Sequence, residues 1–173
     1  GDALNSVPAT RWTMDDVNNT GRLSDVQLAC MQNGGFLAGV HAFANRKFGV
    51  SASEAFAMDP QQRILLEAGY AAIHGSCLRQ AALLTSDIGV FLGVERAEWG
   101  LRIARAASTS SMSAYAATSD ASSIAAGRLS CMLGLEGPCE STDTACASTL
   151  VAVQAAARAL LAAECTRAVV ASS

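Results

Sequence analysis

Apolar residues along this chain follow two rhythms, and the switches between them mark out its elements. Asp87-Ile88-Gly89-Val90-Phe91-Leu92-Gly93-Val94 is a nearly unbroken apolar run. It predicts a strand buried on both faces, as in a parallel sheet covered by helices. Gly89 and Gly93 would let a neighbouring backbone or helix come close. Ala168-Val169-Val170-Ala171-Ser172 predicts a second such strand. Helical spacing appears in three places. Ile64, Leu65, Ala68 and Ala72 share one face of a helix that starts near Pro60. Ile124, Arg128, Cys131 and Leu135 line one side of a segment from Asp120 to Leu133, with Gly134 as its stop. Leu150, Val151, Gln154, Ala157, Arg158 and Leu161 recur at helical spacing in a third. Strands joined through helices predict right-handed βαβ crossovers and an α/β fold.

Local signals sharpen some boundaries. Ser51 with Glu54 three residues on fits a capping box, with a short helix to about Met58. Asp59-Pro60-Gln61-Gln62 is a second helix start: Asp59 caps, Pro60 suits the first helical position, and Gln62 can reach back. Gly75 is the expected end of that helix, and His74 beside it reads as a capping or surface residue. Residues 1–35 have little periodicity. Within them Val7 to Trp12 predicts an extended surface segment anchored by Trp12, while Phe43 and Phe48 further on are expected in the core. Residues 104–119 are small and polar, consistent with a loop or a weak helix.

The stretch with chemical promise runs from Gly137 to Leu160. Pro138 opens a short strand, Thr144-Ala145-Cys146-Ala147 makes a turn among small residues, and an apolar helix follows at once. Cysteine is often only a small buried hydrophobe. At the start of a helix, however, unpaired N–H groups and the helix dipole favour negative charge, which would stabilise a Cys146 thiolate, the nucleophilic form. Both readings stand on the residues alone.

Composition narrows the class. With 51% hydrophobic and 16% charged residues, the chain is not disordered. A net charge of -3 gives no basic footprint for nucleic acid. Six cysteines, at 30, 77, 131, 139, 146 and 165, form no CxxC pair, and the expected state is reduced thiols, mostly buried, in a cytoplasmic compartment. His41 and His74 are the only histidines, so no metal site is expected. No apolar run approaches the ~20 residues of a membrane span. Glycine rather than methionine stands first, so the natural start is expected upstream.

Several strings resemble one family, among them VPATRW (Val7 to Trp12) and the GGFL turn from Gly34 to Leu37. DTACASTLVA, from Asp143 to Ala152, is similar to the nucleophile motif of β-ketoacyl synthases, the condensing enzymes of fatty acid and polyketide synthesis. Ala147 replaces the serine usual after the cysteine. MDPQQRILLE (Met58 to Glu67) resembles a signature of polyketide-type ketosynthases. Gly89 to Gly93 matches a GVFxG strand, and Ser123 to Pro138 matches SxxxGRxSxxLGLxGP. Arg128 in that segment reads as a structural hydrogen-bond donor rather than a ligand-binding cation.

The resemblance implies a thiolase-like fold of layered α-β-α-β-α type, with this chain covering most of the N-terminal βαβ-rich half and truncated at both ends. It implies that Cys146 is the acyl-accepting nucleophile and that its backbone N–H is an oxyanion donor. It also implies substrates delivered as acyl and malonyl thioesters on the phosphopantetheine of an acyl carrier protein, no tightly bound cofactor, and a homodimer. In such a dimer the segment from about Cys139 to Asp143 would pair across a two-fold axis. Family members use two histidines and a lysine after the cysteine. No histidine follows Cys146 here, so the 173 residues alone are expected not to catalyse condensation. Two alternatives remain: a cysteine-dependent acyl hydrolase, which needs a histidine base near the thiol, and a non-catalytic scaffold of the same fold.

Overall fold

The computed structural model describes residues 4–13, 23–37, 39, 41–76, 78, 83–95, 99–100, 118 and 121–173. Cys77, Asp120 and nearly all of the small polar stretch at 104–119 lie outside the described residues. The chain forms two units, Gly1–Val40 and His41–Ser173.

In the first unit, β1 (Asn5–Ser6) pairs antiparallel with β2 (Asn33–Gly34), in register Asn5 with Gly34. A short helix α1 (Asp25–Cys30) lies between them in sequence. The sequence carried its cue in Ser24-x-x-Gln27. The Ser24 hydroxyl accepts from the Gln27 N–H, and Gln27 Oε1 accepts from the Ser24 N–H at 2.9 Å, a reciprocal capping box. Val7 to Trp12 is not the expected extended segment. The Arg11 N–H donates to the Pro8 carbonyl at 2.9 Å and closes a turn, after which Trp12 meets Phe36 edge-on at 5.9 Å.

The second unit is built on a three-stranded parallel sheet in the order β4-β3-β5. Its strands are β3 (Ile88–Gly93), β4 (Cys139–Thr142) and β5 (Arg167–Ser172). Helix α2 (Ala52–Ala57) and the longer α3 (Pro60–Gly75) precede β3. Helix α4 (Ser122–Leu133) leads from β3 to β4, and α5 (Ser148–Leu161) leads from β4 to β5. Every residue of β3 is buried, as its unbroken apolar run required.

Alternation along β3 separates two layers of core. Ile88, Val90 and Leu92 join Met58, Leu65, Leu66 and Leu129 on the side of α3 and α4. Phe91 faces the other way, against Ala152, Ala156 and Ala159 of α5 and against Cys165. Gly89 and Gly93 have the parity of Phe91. A Cβ on Gly93 would lie 3.0 Å from both the carbonyl carbon and the Cβ of Ser148. Alanines on the helix and glycines on the strand therefore let α5 settle close to the sheet.

Helix α5 buries none of the residues whose helical spacing announced it. The buried stripe is Ser148, Ala152, Ala156 and Ala159. Leu150 and Leu161 point outward, 73% and 90% exposed. A helix apolar nearly all round has no unique face to read from its pattern.

The capping signals worked in part. The Ser51 hydroxyl accepts from the Glu54 N–H at 3.1 Å, but the Glu54 carboxylate does not reach back. It pairs instead with Arg128, Nη1 to Oε1 at 2.6 Å, across 74 residues of sequence. Arg128 Nη2 also donates to the Thr118 carbonyl at 3.3 Å. This is the structural donor role expected of Arg128. Asp59 caps α3 by accepting from the Gln61 N–H at 2.6 Å. The Gln62 amide donates to the carbonyls of Thr118 and Ala121, at 3.4 and 3.3 Å, rather than to its own helix start. Helix α3 runs through Gly75 and ends on Ser76. Gly134 closes α4 in the left-handed region at φ 69°.

Arg128 is buried and its partner Glu54 largely so, with side chains 7% and 21% exposed. Replacing Arg128 by alanine strands a largely desolvated carboxylate and opens the contact between α2 and α4. The expected cost is about 2–3 kcal/mol of unfolding free energy in a urea melt. A change under about 0.5 kcal/mol would show the pair to be structurally idle.

Candidate active site

Cys146 sits where β4 hands over to α5. Residues Ala145–Ala147 form a single 3-10 turn and α5 begins at Ser148. Ala145 is in the left-handed region at φ 53°, a conformation that costs an ordinary residue on the order of 1 kcal/mol. The turn is held from several sides. Asp143 Oδ1 accepts from the Ala145 N–H at 3.2 Å. The Ser148 hydroxyl accepts from the Thr144 N–H at 2.8 Å and donates to the Ala145 carbonyl at 2.7 Å. The Ala147 N–H donates to the Thr144 carbonyl at 3.2 Å. Ser148 thus ties both sides of the turn, a role the sequence did not advertise.

Cys146 itself is exposed. Its backbone N–H has no acceptor among the described residues, and no side chain caps α5. The thiol borders a cleft of about 300 Å³ lined by Glu95, Ala145, Cys146, Ser148, Thr149, Ser172 and Ser173. All these residues lie at or just past the C-terminal ends of the parallel strands or at the start of α5. That is the rim where ligands of open α/β sheets bind.

Two glutamines of the Met58 to Glu67 string explain why that string accompanies the thiol. Gln61 Nε2 donates to the Glu95 carbonyl at 3.4 Å, and Gln61 Oε1 accepts from the Ser173 hydroxyl at 2.9 Å. The Ser173 N–H in turn donates to the Gly93 carbonyl at 3.2 Å. One side chain therefore links the exits of β3 and β5 beside the cleft, while Gln62 holds the approach to α4. At the opposite end of the sheet, the Asp87 carboxylate accepts from the Thr166 N–H and hydroxyl at 3.0 and 2.6 Å, joining the entries of the same two strands.

The other thiols depart from the expectation of burial. Cys30, Cys131 and Cys139 are exposed, and among the described cysteines Cys165 alone is buried. Cys139 begins β4, at the edge of the sheet, and although the residue is exposed, partial loss of solvent around it pushes its thiol above the ordinary cysteine value. Neither histidine lines the Cys146 cleft. His74 stacks on Tyr70 at 5.9 Å in the last turn of α3, beside a separate groove formed with Lys47, Phe48 and Glu67. The described residues contain no group of three acidic, histidine or cysteine side chains placed to hold a metal. No helix among them is long and apolar enough to cross a membrane.

The family described as beta-ketoacyl synthase, N-terminal domain, matches residues 1–173. The chain belongs to the β-ketoacyl synthase family. A spectinabilin polyketide synthase system protein, NorA', of Streptomyces orinoci is 38% identical over 166 residues, 95% of this chain and 4% of that protein. Mycoketide-CoA synthase of Mycobacterium tuberculosis is 40% identical over 166 residues, again 95% and 4% of the two chains. Among solved structures, a cysteine-to-serine mutant of the ketosynthase from module 6 of the bacillaene synthase of Bacillus subtilis 168 superposes with a TM-score of 0.77 at 30% identity. It spans 95% of this chain, which covers 26% of it. An oxazolomycin ketosynthase domain of Streptomyces albus JA3453 gives a TM-score of 0.74 at 28% identity, over 95% and 28% of the two chains.

The chain thus spans a small fraction of the polyketide synthases it matches and about a quarter of a ketosynthase. The thiolase-like α/β fold of this ketosynthase segment is the expected one. Within it, the parallel sheet and the crossover through α5 are the parts to which the pattern of apolar residues points.

Proposed function

We infer that this chain supplies the acyl-accepting part of a ketosynthase, which condenses acyl and malonyl units in polyketide synthesis. Exposure of Cys146 on the cleft at the strand exits carries this reading. A small-residue turn, a free backbone N–H and an uncapped helix start surround the thiol. In the first stage, the Cys146 thiolate attacks the carbonyl of an acyl thioester carried on the phosphopantetheine of an acyl carrier protein. The bond from carbonyl carbon to carrier sulfur breaks, and the carrier thiol leaves with a proton. In the second stage, a malonyl-type extender on the carrier loses carbon dioxide, and its carbanion attacks the acyl-enzyme carbonyl. A carbon–carbon bond forms and the Cys146 thiolate is released.

Each tetrahedral intermediate develops negative charge on the former carbonyl oxygen. The Cys146 N–H, directed by the helix that follows, is the donor this segment offers, and one such donor contributes about 3 kcal/mol of barrier lowering. The histidines and lysine that the family uses for decarboxylation have no counterpart after Cys146 here. The complete activity is therefore assigned to the longer protein. A homodimer is supported by β4, whose outer edge faces no strand among the described residues and could pair with its copy across a two-fold axis. A cytoplasmic location fits the reduced thiols.

Limiting iodoacetamide on the folded full-length protein tests the site directly. Mass-spectrometric mapping should find Cys146 labelled first and protected after incubation with an acyl thioester. Cys139 should lag at neutral pH and catch up as the pH rises, because a raised thiol pKa leaves less thiolate at neutrality. Faster labelling of Cys30, Cys131 or Cys139, with no acyl protection at Cys146, would refute the assignment.

A further inference from the structure

Glu95 and Ser173 line the Cys146 cleft from two different strands, and one side chain holds both. Glu95 lies two residues past the end of β3, and Ser173 one residue past the end of β5. The sheet keeps these strands in register only as far as Gly93 and Ser172, their last pair. Past that pair β3 turns to its other neighbour, since the Val94 N–H donates to the Thr142 carbonyl at 3.0 Å. Further out, Gln61 spans the two exits, donating to the Glu95 carbonyl at 3.4 Å and accepting from the Ser173 hydroxyl at 2.9 Å.

Gln61 reaches them from a firm base. It stands in the first turn of α3, between the buried Asp59 and the buried Gln62, and the Asp59 carboxylate accepts its N–H at 2.6 Å. Among the described residues, both partners of the Gln61 amide line the cleft, whereas Gln61 itself does not. A change at this position therefore alters no atom of the cleft wall, and whatever it does to acyl transfer must pass through the lips.

We propose that Gln61 is a positioning residue for the acyl cleft: by tying both strand exits to α3 it sets the spacing of the lips and favours slender acyl chains over branched ones. This rests on Cys146 being the acyl acceptor. The cleft is small, about 300 Å³, so extra width in a bound chain is felt at its lips. A branched chain must push the exits apart against the two bonds to Gln61, and a straight chain leaves them undisturbed. One neutral hydrogen bond of this kind is worth about a fivefold difference.

Butyryl and 3-methylbutyryl thioesters of N-acetylcysteamine differ by one methyl group, placed away from the reacting carbonyl. Each transfers its acyl group to the Cys146 sulfur and releases N-acetylcysteamine, whose thiol takes the proton that Cys146 gives up. Acylation of the full-length protein, followed by intact mass, gives a branched-to-straight rate ratio for each variant. Gln61→Met keeps the length of the side chain and loses both bonds, and it should raise the ratio about fivefold. Gln61→Glu still accepts from Ser173 but cannot donate to the Glu95 carbonyl, and its ratio should fall in between. Ser173→Ala should raise the ratio in the wild-type background and leave it unchanged in Gln61→Met, because both substitutions break one link. A purely structural role would slow both thioesters alike and leave every ratio where it was. An unchanged ratio in Gln61→Met, or additive effects of the two substitutions, would overturn the role of Gln61 while Cys146 is still acylated. Should Gln61→Met fail to fold, an unchanged ratio in Ser173→Ala overturns it equally. If neither thioester acylates Cys146 in the wild-type protein, the nucleophile assignment falls and this role falls with it.

Discussion

Cys146→Ala is expected to lower carbon–carbon bond formation by the full-length protein at least about a thousandfold. No other described cysteine lines the cleft, so none of them can take over the acyl group. The melting temperature should hardly move. Cys146 is exposed, and its side chain fills no core space. Alanine also suits the turn, since it already occupies both neighbouring positions. Product analysis by mass spectrometry and a thermal melt would measure the two effects together. The combination matters because it separates three readings. A condensing enzyme loses activity and keeps its fold. A scaffold of the same fold keeps its function when the thiol is removed. An acyl hydrolase would release free acid in the wild-type protein instead of retaining the acyl group. Activity within tenfold of wild type would remove Cys146 from the mechanism.

The second large effect is expected from a residue with no side chain. A Cβ at Gly93 would meet Ser148 atoms at 3.0 Å and the Ser172 hydroxyl at 3.1 Å. Two of these three contacts belong to the residue that braces the Cys146 turn. Gly93→Val adds two methyl groups beyond that Cβ, so β3 and the start of α5 must move apart. The expected loss of stability is about 2–3 kcal/mol, the usual scale of overpacking. Acyl transfer should fall further than stability, by on the order of a hundredfold in the fraction that remains folded, because a displacement near 1 Å at a nucleophile has that consequence. Urea melts and single-turnover acylation would separate the two losses. A variant as stable and as quickly acylated as wild type would mean that α5 does not depend on close approach to the sheet.

The elements that could be read in advance were those governed by short-range rules. Asp59 and Pro60 announce a helix because a carboxylate and a pre-set φ satisfy its first turn whatever surrounds them. Gly134 ends α4 because it enters the left-handed region without a Cβ penalty. The run from Ile88 to Val94 could only be a fully buried strand, since both of its faces are apolar. The reading failed where several partners were available to one group. Glu54 had its own helix start within reach and chose Arg128, and Gln62 chose the carbonyls of Thr118 and Ala121. Ser24 and Gln27 form the reciprocal box that had been expected at Ser51 and Glu54. Capping patterns show which bonds a side chain can make, and the competition from distant residues decides which bond it does make.

From its residues alone, this protein was determined to be an α/β chain with a parallel sheet, a cysteine in a tight turn before a helix, and the motifs of a condensing-enzyme family. Those features reside in spacing, backbone preference and local strings, and they survive without knowledge of any distant contact. Only the tertiary structure decided that α5 rests on its alanines and turns Leu150 and Leu161 outward, and that Cys146 opens onto a cleft. It alone made Gln61 the link between two strand exits. Residues 34 and 112 positions away from Gln61 in the chain meet it there. Such meetings depend on which face each element buries, a matter settled by the combined packing of the whole unit.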